Sequence, residues 1–216
     1  DITDIAEAEG WTDIINPPSL LESCTVDGRI YCAPVNIHSW QWLWLSHKAY
    51  DDAGLDVPTN WDEYVASASA LNDAGKLPLA MGQQGWQQRG LFNTLFAALV
   101  PNEVFLAVYD DKDADVAAGA DVARVFAAAA DAREMASNST VQNWNDATNL
   151  VITGQAGGQI MGDWAQGEFA VAEQVAGTDY SCLPGLGVTE LLSTGGDAFY
   201  FPVLTDEAQI AAQSEL

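Results

Sequence analysis

Residues 28–44 read GRIYCAPVNIHSWQWLW. A tight turn at Asp27-Gly28 opens the stretch, an apolar strand follows over 30–33, and Pro34 interrupts it. Beyond the proline stand two polar side chains, Asn36 and His38, and then a tryptophan at every second position: Trp40, Trp42 and Trp44. A spacing of two points side chains to one face of an extended segment, so residues 39–45 are expected to form a strand with three indoles on one face. Such a surface beside amide and imidazole groups suits a sugar, whose C–H faces stack on aromatic rings while its hydroxyls need planar polar partners. The competing reading is a buried strand whose tryptophans are core.

Outward from that stretch, the chain has 216 residues, enough for one large or two small domains. Hydrophobic residues make up 49%, which supports a folded core rather than disorder. Lysine and arginine total 7 against 31 aspartates and glutamates, a net charge of −24. A field of that sign repels nucleic-acid phosphates and anionic membranes, so neither is expected as a partner. The acids are scattered singly along the helices and read as a solvated surface. No apolar run approaches the ~20 residues needed to cross a bilayer. The chain opens at Asp1 without an initiator methionine or leader, and residues 206–211 read as a helix with no stop signal. The expectation is a piece of something longer.

Of the three cysteines, Cys24 and Cys32 flank the turn. With a three-residue loop of Asp27, Gly28 and Arg29 they would sit directly opposite on a hairpin, and a cross-strand disulfide is geometrically allowed. Cys182 is left over, either buried and free or paired outside this piece. His38 and His47 have no cysteine partner in register, so no metal, thiol chemistry or cofactor is expected.

In chain order, residues 3–9 are a short acidic helix closed by Gly10, and residues 20–32 form the hairpin. A helix over 47–53 stops at Gly54. Thr59 with Asp62 is a capping-box pattern, and Trp61, Tyr64, Val65, Ala68 and Leu71 line one face of the helix that follows. The strand 78–81 suggests a βαβ unit and a parallel-rich sheet with helices on both faces. Next comes a loop with four glutamines around a tryptophan, Gln83, Gln84, Trp86, Gln87 and Gln88. It lies where strand C-termini carry ligands in open α/β sheets; the alternative is a plain surface connection. Residues 101–118 read as irregular. A long alanine-rich helix runs to about residue 136, and Asn145 reads as the N-cap of the helix after it. After the strand 157–161, Gly162-Asp163-Trp164 turns into a helix; Asp163 is either its N-cap or a ligand contact. Strands over 179–183 and 198–203 complete the pattern.

The ordered series GRIYCAPVNIHSWQWLW, AYDDAGLDVPTNWDEY, LAMGQQGWQ, WNDATNLVITGQAGGQIMGDW, DYSCLPGLG and GGDAF resembles the sugar-binding proteins of bacterial ABC importers, and the glucose and mannose type above all. The resemblance covers essentially the whole chain. It implies an α/β, periplasmic-binding-protein-like (type II) two-lobe fold, of which mostly the second lobe is present. Residues 1–35 would be a remnant of the first lobe and hinge, 36–184 the second lobe, and 185–216 the second hinge crossing and return. It implies a non-catalytic, monomeric, periplasmic or extracellular carrier (lipid anchoring included) that binds a glucose-like mono- or short oligosaccharide between lobes. The partner would be the membrane permease of an ABC importer.

Position by position, His38 and the tryptophans after it match the family's VNVH-x-x-NWLW segment, and Trp86 and Gln87 its glycine-rich W-Q loop. Trp164 matches the tryptophan after M-G-D, which stacks on the sugar ring, and Asp197 the aspartate of N-S-D-S-F. The chain departs from that last motif, with Gly195 for asparagine and Ala198 for serine, and it has SWQW where R-x-N-W is usual. The candidate ligand set is Asn36, His38, Trp40, Trp42, Gln84, Trp86, Gln87, Asn145, Asp163, Trp164 and Asp197. His38 and Asp197 are expected on opposite lobes, bridged by bound sugar.

Two rival classes remain. A glycoside hydrolase needs two facing carboxylates, and Asp163 with Glu168, five apart at a helix start, would face each other poorly. A ligand-free acidic scaffold would leave eight tryptophans, several beside Asn, Gln and Gly in loops, unexplained.

Overall fold

In the computed structural model, which describes residues 1–215, the chain begins with three short helices, α1 (Thr3–Ala8), α2 (Trp11–Ile14) and α3 (Ser19–Glu22). They lead to a hairpin of β1 (Thr25–Val26) and β2 (Arg29–Ile30), paired Thr25 to Ile30 and Val26 to Arg29. Asp27 and Gly28 both take positive φ, 50° and 73°, the conformation a two-residue hairpin loop requires. The expected three-residue loop is therefore one residue too long, because Arg29 belongs to the ladder. The register sets Cys24 against Tyr31, whose N–H it accepts at 2.9 Å. Cys24 and Cys32 are thus not directly opposite, yet their Cα atoms are 5.1 Å apart and they form a disulfide.

The disulfide sits in a small core with Ala6, Leu21 and Ile30. β3 (Cys32–Pro34) pairs antiparallel with the returning strand Ala198–Tyr200. The helix Glu207–Ser214 follows, capped by Asp206, which accepts the Gln209 N–H at 3.0 Å. These elements form one compact unit, Asp1–His38 together with the segment from Thr194 onward; Ser39–Ser193 form the other.

The second unit is built on a four-stranded sheet. After β4 (His38–Ser39) come β5 (Trp42–Ser46), α4 (His47–Ala53), α5 (Trp61–Asp73) and β6 (Leu77–Leu79). A helical run follows: α6 (Gly85–Leu99), α7 (Asn102–Tyr109), α8 (Ala114–Ala117), α9 (Ala120–Met135) and α10 (Trp144–Ile152). β7 (Ala156–Met161), α11 (Gln166–Val171) and β8 (Tyr180–Pro184) close the unit. The strand order is β6-β7-β5-β8. β6 and β7 are parallel, but β5 runs antiparallel to β7 and to β8, so the sheet is mixed rather than parallel-rich. β5 enters the sheet ahead of any crossover helix and takes a central place pointing the other way.

Alternation along β5 divides two cores. Leu43 and Leu45 face the helices α5, α6 and α9, while Trp44 faces α10 and α11 with Phe169 and Tyr180. Helices thus cover both faces. β7 is buried along its whole length, and its glycines are there for want of room: a Cβ on Gly158 would stand 2.8 Å from the Trp44 carbonyl oxygen, and one on Gly157 2.6 Å from Leu71. The buried Gln159 is satisfied on both sides, accepting from Thr148 Oγ1 at 2.7 Å and donating to the Trp144 carbonyl at 3.0 Å.

Three local expectations shift. Residues 101–118, expected to be irregular, hold α7 and α8; Val104, Phe105, Val108 and Tyr109 pack on the main core at helical spacing, which outweighs the acidic flank. The α5 cap is Asn60 rather than Thr59: Asn60 Oδ1 accepts from Glu63 N–H at 3.0 Å, and Glu63 accepts from the Thr59 N–H at 2.8 Å. Asn143, not Asn145, occupies the N-cap position of α10, leaving Asn145 in the exposed first turn.

Candidate functional site

The strand of tryptophans breaks at Trp40 and Gln41. The Trp42 N–H turns back to the Trp40 carbonyl at 3.1 Å, so Trp40 leaves the face its two neighbours share. Trp44 is 2% exposed and stacks on Phe169 at 5.3 Å; Trp42 lies half-buried 6.1 Å from it. For Trp44 the core reading holds, and the single face of three indoles expected from the spacing is not formed. Trp40, 38% exposed, instead lies edge-on to Trp164 at 4.6 Å and to Trp86 at 6.4 Å.

Glycines make room for these rings. A Cβ on Gly90 would meet the Trp40 ring at 3.3 Å, and one on Gly162 would overlap the Trp164 ring at 2.2 Å. Thr94 Oγ1 donates to the Trp40 carbonyl at 3.3 Å. Asp163 braces the approach to Trp40, accepting from Ser39 N–H at 2.9 Å and Ser39 Oγ at 3.1 Å, and Ser39 Oγ accepts from Trp42 Nε1 at 2.6 Å.

The glutamine loop is partly helix. α6 starts at Gly85, so Trp86 and Gln87 occupy its first turn while Gln84 precedes it. Gln84 Oε1 accepts from Trp86 Nε1 at 2.8 Å and from Gln87 Nε2 at 3.1 Å, and Gln84 Nε2 donates to Asn143 Oδ1 at 3.3 Å. Gln87 Nε2 also reaches the Gln142 carbonyl at 3.1 Å. This network fixes the orientation of the Trp86 indole. Gln87 is 2% exposed, and its Oε1 has no hydrogen-bond partner among the described residues.

Between α6 and α7 opens a cavity of about 450 Å³ whose walls include Trp40, Trp86, Arg89, Asn93 and Tyr109, with Gln41 at the side. Sequence reasoning found the two tryptophans and missed the rest. Trp86, Gly90, Asn93 and Ala97, with Arg89 beside Gly90, recur every three or four residues along one face of α6, and that spacing was the available signal. Tyr109 was hidden by the reading of its segment as irregular. Burial pushes the Tyr109 hydroxyl pKa up, and that hydroxyl donates to Asn93 Oδ1 at 3.0 Å.

The other candidates lie in the first unit. Asn36 Nδ2 donates to Asp197 Oδ2 at 2.9 Å, and Asp197 N–H donates to Asn36 Oδ1 at 2.7 Å. His38 Nε2 stands 3.7 Å from the same carboxylate oxygen. His38 and Asp197 thus belong to one unit and meet directly, which corrects the expectation that only a bound sugar joins them. Gly196 is required beside them, since a Cβ there would lie 2.1 Å from the Asn36 carbonyl oxygen. Among the described residues no group of three metal-ligating side chains converges, and no helix is long and apolar enough to cross a membrane.

A family model described as bacterial extracellular solute-binding protein matches residues 1–189. A protein of Rhizobium meliloti (strain 1021) named as a probable sugar-binding periplasmic protein is 33% identical over 215 residues, covering 99% of this chain and 51% of its own. One of the same name from Brucella suis biovar 1 (strain 1330) is 35% identical over 214 residues, covering 98% and 50%. The chain therefore spans about half the length of the curated relatives it matches. Among solved structures, a chitin oligosaccharide binding protein superposes with TM-score 0.76 at 20% identity, covering 99% of this chain and 55% of that one. Maltose-bound MalE3 of T. maritima superposes with TM-score 0.75 at 17% identity, covering 100% and 56%. The fold is of the type II periplasmic binding-protein kind.

Proposed function

Because the chain belongs to the family of bacterial extracellular solute-binding proteins, we propose that the complete protein is a non-catalytic sugar carrier serving the membrane permease of an ABC importer. Its ligand is a mono- or short oligosaccharide with glucose-like rings. The observation that carries this reading is the cluster of Trp86 and Trp164, each edge-on to Trp40, beside amide side chains held in place by their own hydrogen bonds. Indole faces supply stacking for sugar C–H groups and the amides supply directional donors and acceptors. The family is extracellular and the named relatives are periplasmic, so the chain works outside the cytoplasmic membrane.

In this proposal Trp40, Trp86 and Trp164 stack on the ligand, while Gln84, Gln87 and Asp163 fix their positions or contact its hydroxyls. The proposed ligand set also includes Asn36, His38 and Asp197 of the first unit and Trp42 and Asn145 of the second. The first unit corresponds to a remnant of the first lobe and Ser39–Ser193 to most of the second. A carrier of this kind works only if ligand favours one lobe arrangement over another.

Calorimetry and small-angle scattering of the complete protein with a panel of hexoses and disaccharides test the reading. At least one sugar should bind and lower the radius of gyration. Failure of every sugar to bind, or turnover of sugar to product, would overturn it.

A further inference from the structure

The cavity between α6 and α7 is biased in its hydrogen-bonding character. Two amide side chains line it, and both have their carbonyl oxygens engaged by the protein: Gln41 Oε1 accepts from the Ser193 N–H, and Asn93 Oδ1 from the Tyr109 hydroxyl. Gln41 is 2% exposed, so its amide is held in one orientation by a backbone donor that cannot be exchanged for an acceptor. With its oxygen so engaged, what each amide has to offer a ligand is its NH2 group.

Beside them stands Arg89, which can only donate. The chain carries 7 cations against 31 acidic residues, and most of the cations are engaged. Arg29 pairs with Asp1, Lys48 and Lys76 with Asp52, and Arg124 with Asp121. Lys112 donates to the Tyr109 carbonyl. Arg89 has no carboxylate partner among the described residues, and no aspartate or glutamate is among the residues that line the cavity. Arg133 likewise has no carboxylate partner among the described residues and lines a cavity with Met81, Leu91 and Phe92, but only beside Arg89 do tryptophans and amide side chains share the wall.

We propose that this cavity takes a sugar unit bearing a carboxylate, a uronic acid, with the carboxylate on Arg89 and the ring against Trp40 and Trp86. This rests on the sugar-carrier reading and narrows it to an acidic ligand. The planar guanidinium matches a carboxylate with two parallel hydrogen bonds, and the amide NH2 groups of Asn93 and Gln41 add donors for the remaining ring oxygens. A volume of about 450 Å³ falls among small-molecule sites, which run to roughly 300–1,000 Å³. The overall charge of −24 opposes an anionic ligand at long range. That opposition is screened beyond about 8 Å at physiological ionic strength, whereas the contact with Arg89 is made at hydrogen-bond distance.

The test is calorimetry on the complete protein with matched pairs: glucose with glucuronate, galactose with galacturonate, and the methyl ester of each uronate. The acidic member of one pair should bind at least about tenfold tighter than its neutral partner, and the methyl ester should fall back to the neutral value. Arg89→Gln should cost the uronate about tenfold or more beyond its effect on the neutral sugar, and Arg89→Lys should recover part of it. Circular dichroism of both variants checks that they fold. If neutral sugars bind as tightly as uronates, or Arg89→Gln weakens both alike, the acidic-ligand proposal is wrong while the carrier reading stands. If neither member of any pair binds, the acidic-ligand proposal is wrong, and the carrier reading is decided by the wider panel of hexoses and disaccharides.

Discussion

The two units solve the problem of a core by different means. Asp1–His38 with its returning segment gathers Ala6, Leu21 and Ile30 around the Cys24–Cys32 disulfide. Large apolar side chains nearby stay in water, among them Ile14 at 68% and Tyr200 at 73% exposure. Ser39–Ser193 instead lays helices on both faces of a sheet whose central strands β7 and β5 are buried, all but Trp42. Among the described residues, the first unit has a disulfide in its small core, whereas the second has none and its remaining cysteine, Cys182, is free. Stability should therefore respond to packing in one and to the disulfide in the other.

The largest effect should come from the second unit. Leu45 is fully buried on β5, and Leu45→Ala should cost about 2–5 kcal/mol through lost transfer energy and the cavity left behind. Urea denaturation followed by tryptophan fluorescence reads this directly. A loss below about 1 kcal/mol would mean that this core is loosely packed, and the contrast between the units would collapse.

Next comes the disulfide. Replacing Cys24 and Cys32 together by alanine should cost about 2–3 kcal/mol, the loop-closure effect for an eight-residue separation. Hydrogen exchange should show the loss over residues 1–34 and leave β5 and β7 protected as before. Equal deprotection of both units would show that they unfold as one.

How much of this was legible in sequence follows the same division. In the second unit, helices such as α4 and α5 could be read from their apolar spacing and from Gly54, because their packing repeats a simple period. The sheet order could not: nothing in residues 42–46 says that β5 takes the centre and runs against its neighbours. At the site, period two located the tryptophans but could not reveal that the Trp42 N–H folds back on the Trp40 carbonyl and frees Trp40 alone. Arg89, Asn93 and Tyr109 come together only because α7 packs beside α6, a tertiary fact with no local signature. In the first unit the hairpin loop misread by one residue shows how little a two-strand ribbon constrains its own register.

A smaller effect concerns the space made for the rings. Gly90 sits against the Trp40 indole at 3.3 Å from its would-be Cβ. Gly90→Leu adds a good helix former to α6, which favours folding by up to ~1 kcal/mol, but it must push Trp40 aside. Stability should hardly change while sugar affinity falls about threefold to tenfold, the range for losing one aromatic platform's geometry. Calorimetry with the tightest-binding sugar, beside a urea titration, separates the two. An unchanged affinity would remove Trp40 from the site.

The smallest effect is electrostatic, and each unit offers a case for it. The first unit joins Asp1, ahead of α1, to Arg29 on β2. The second sets two lysines on Asp52, Lys76 at 2.7 Å and Lys48 at 2.9 Å, and Lys76 also donates to the Gly154 carbonyl at 2.9 Å. Asp52 therefore ties α4 to the turn before β7. The hydrogen bonds from Lys76 and then from Lys48 hold its carboxyl below the usual carboxylate range. A folded-state value below the unfolded one stabilises the protein wherever the unfolded carboxyl is ionised, above about pH 4, and that contribution fades as pH falls through the lower folded value. Asp52→Asn should thus lower the urea midpoint slightly at pH 7, and the difference from the parent should shrink steadily below about pH 4. The substitution also removes one charge from a chain at −24, which relieves repulsion and works the other way. Raising the salt concentration separates the two, since it weakens the diffuse repulsion more than the close contacts with Lys76 and Lys48. A variant more stable than the parent at both low and high salt would show that these contacts hold nothing in place.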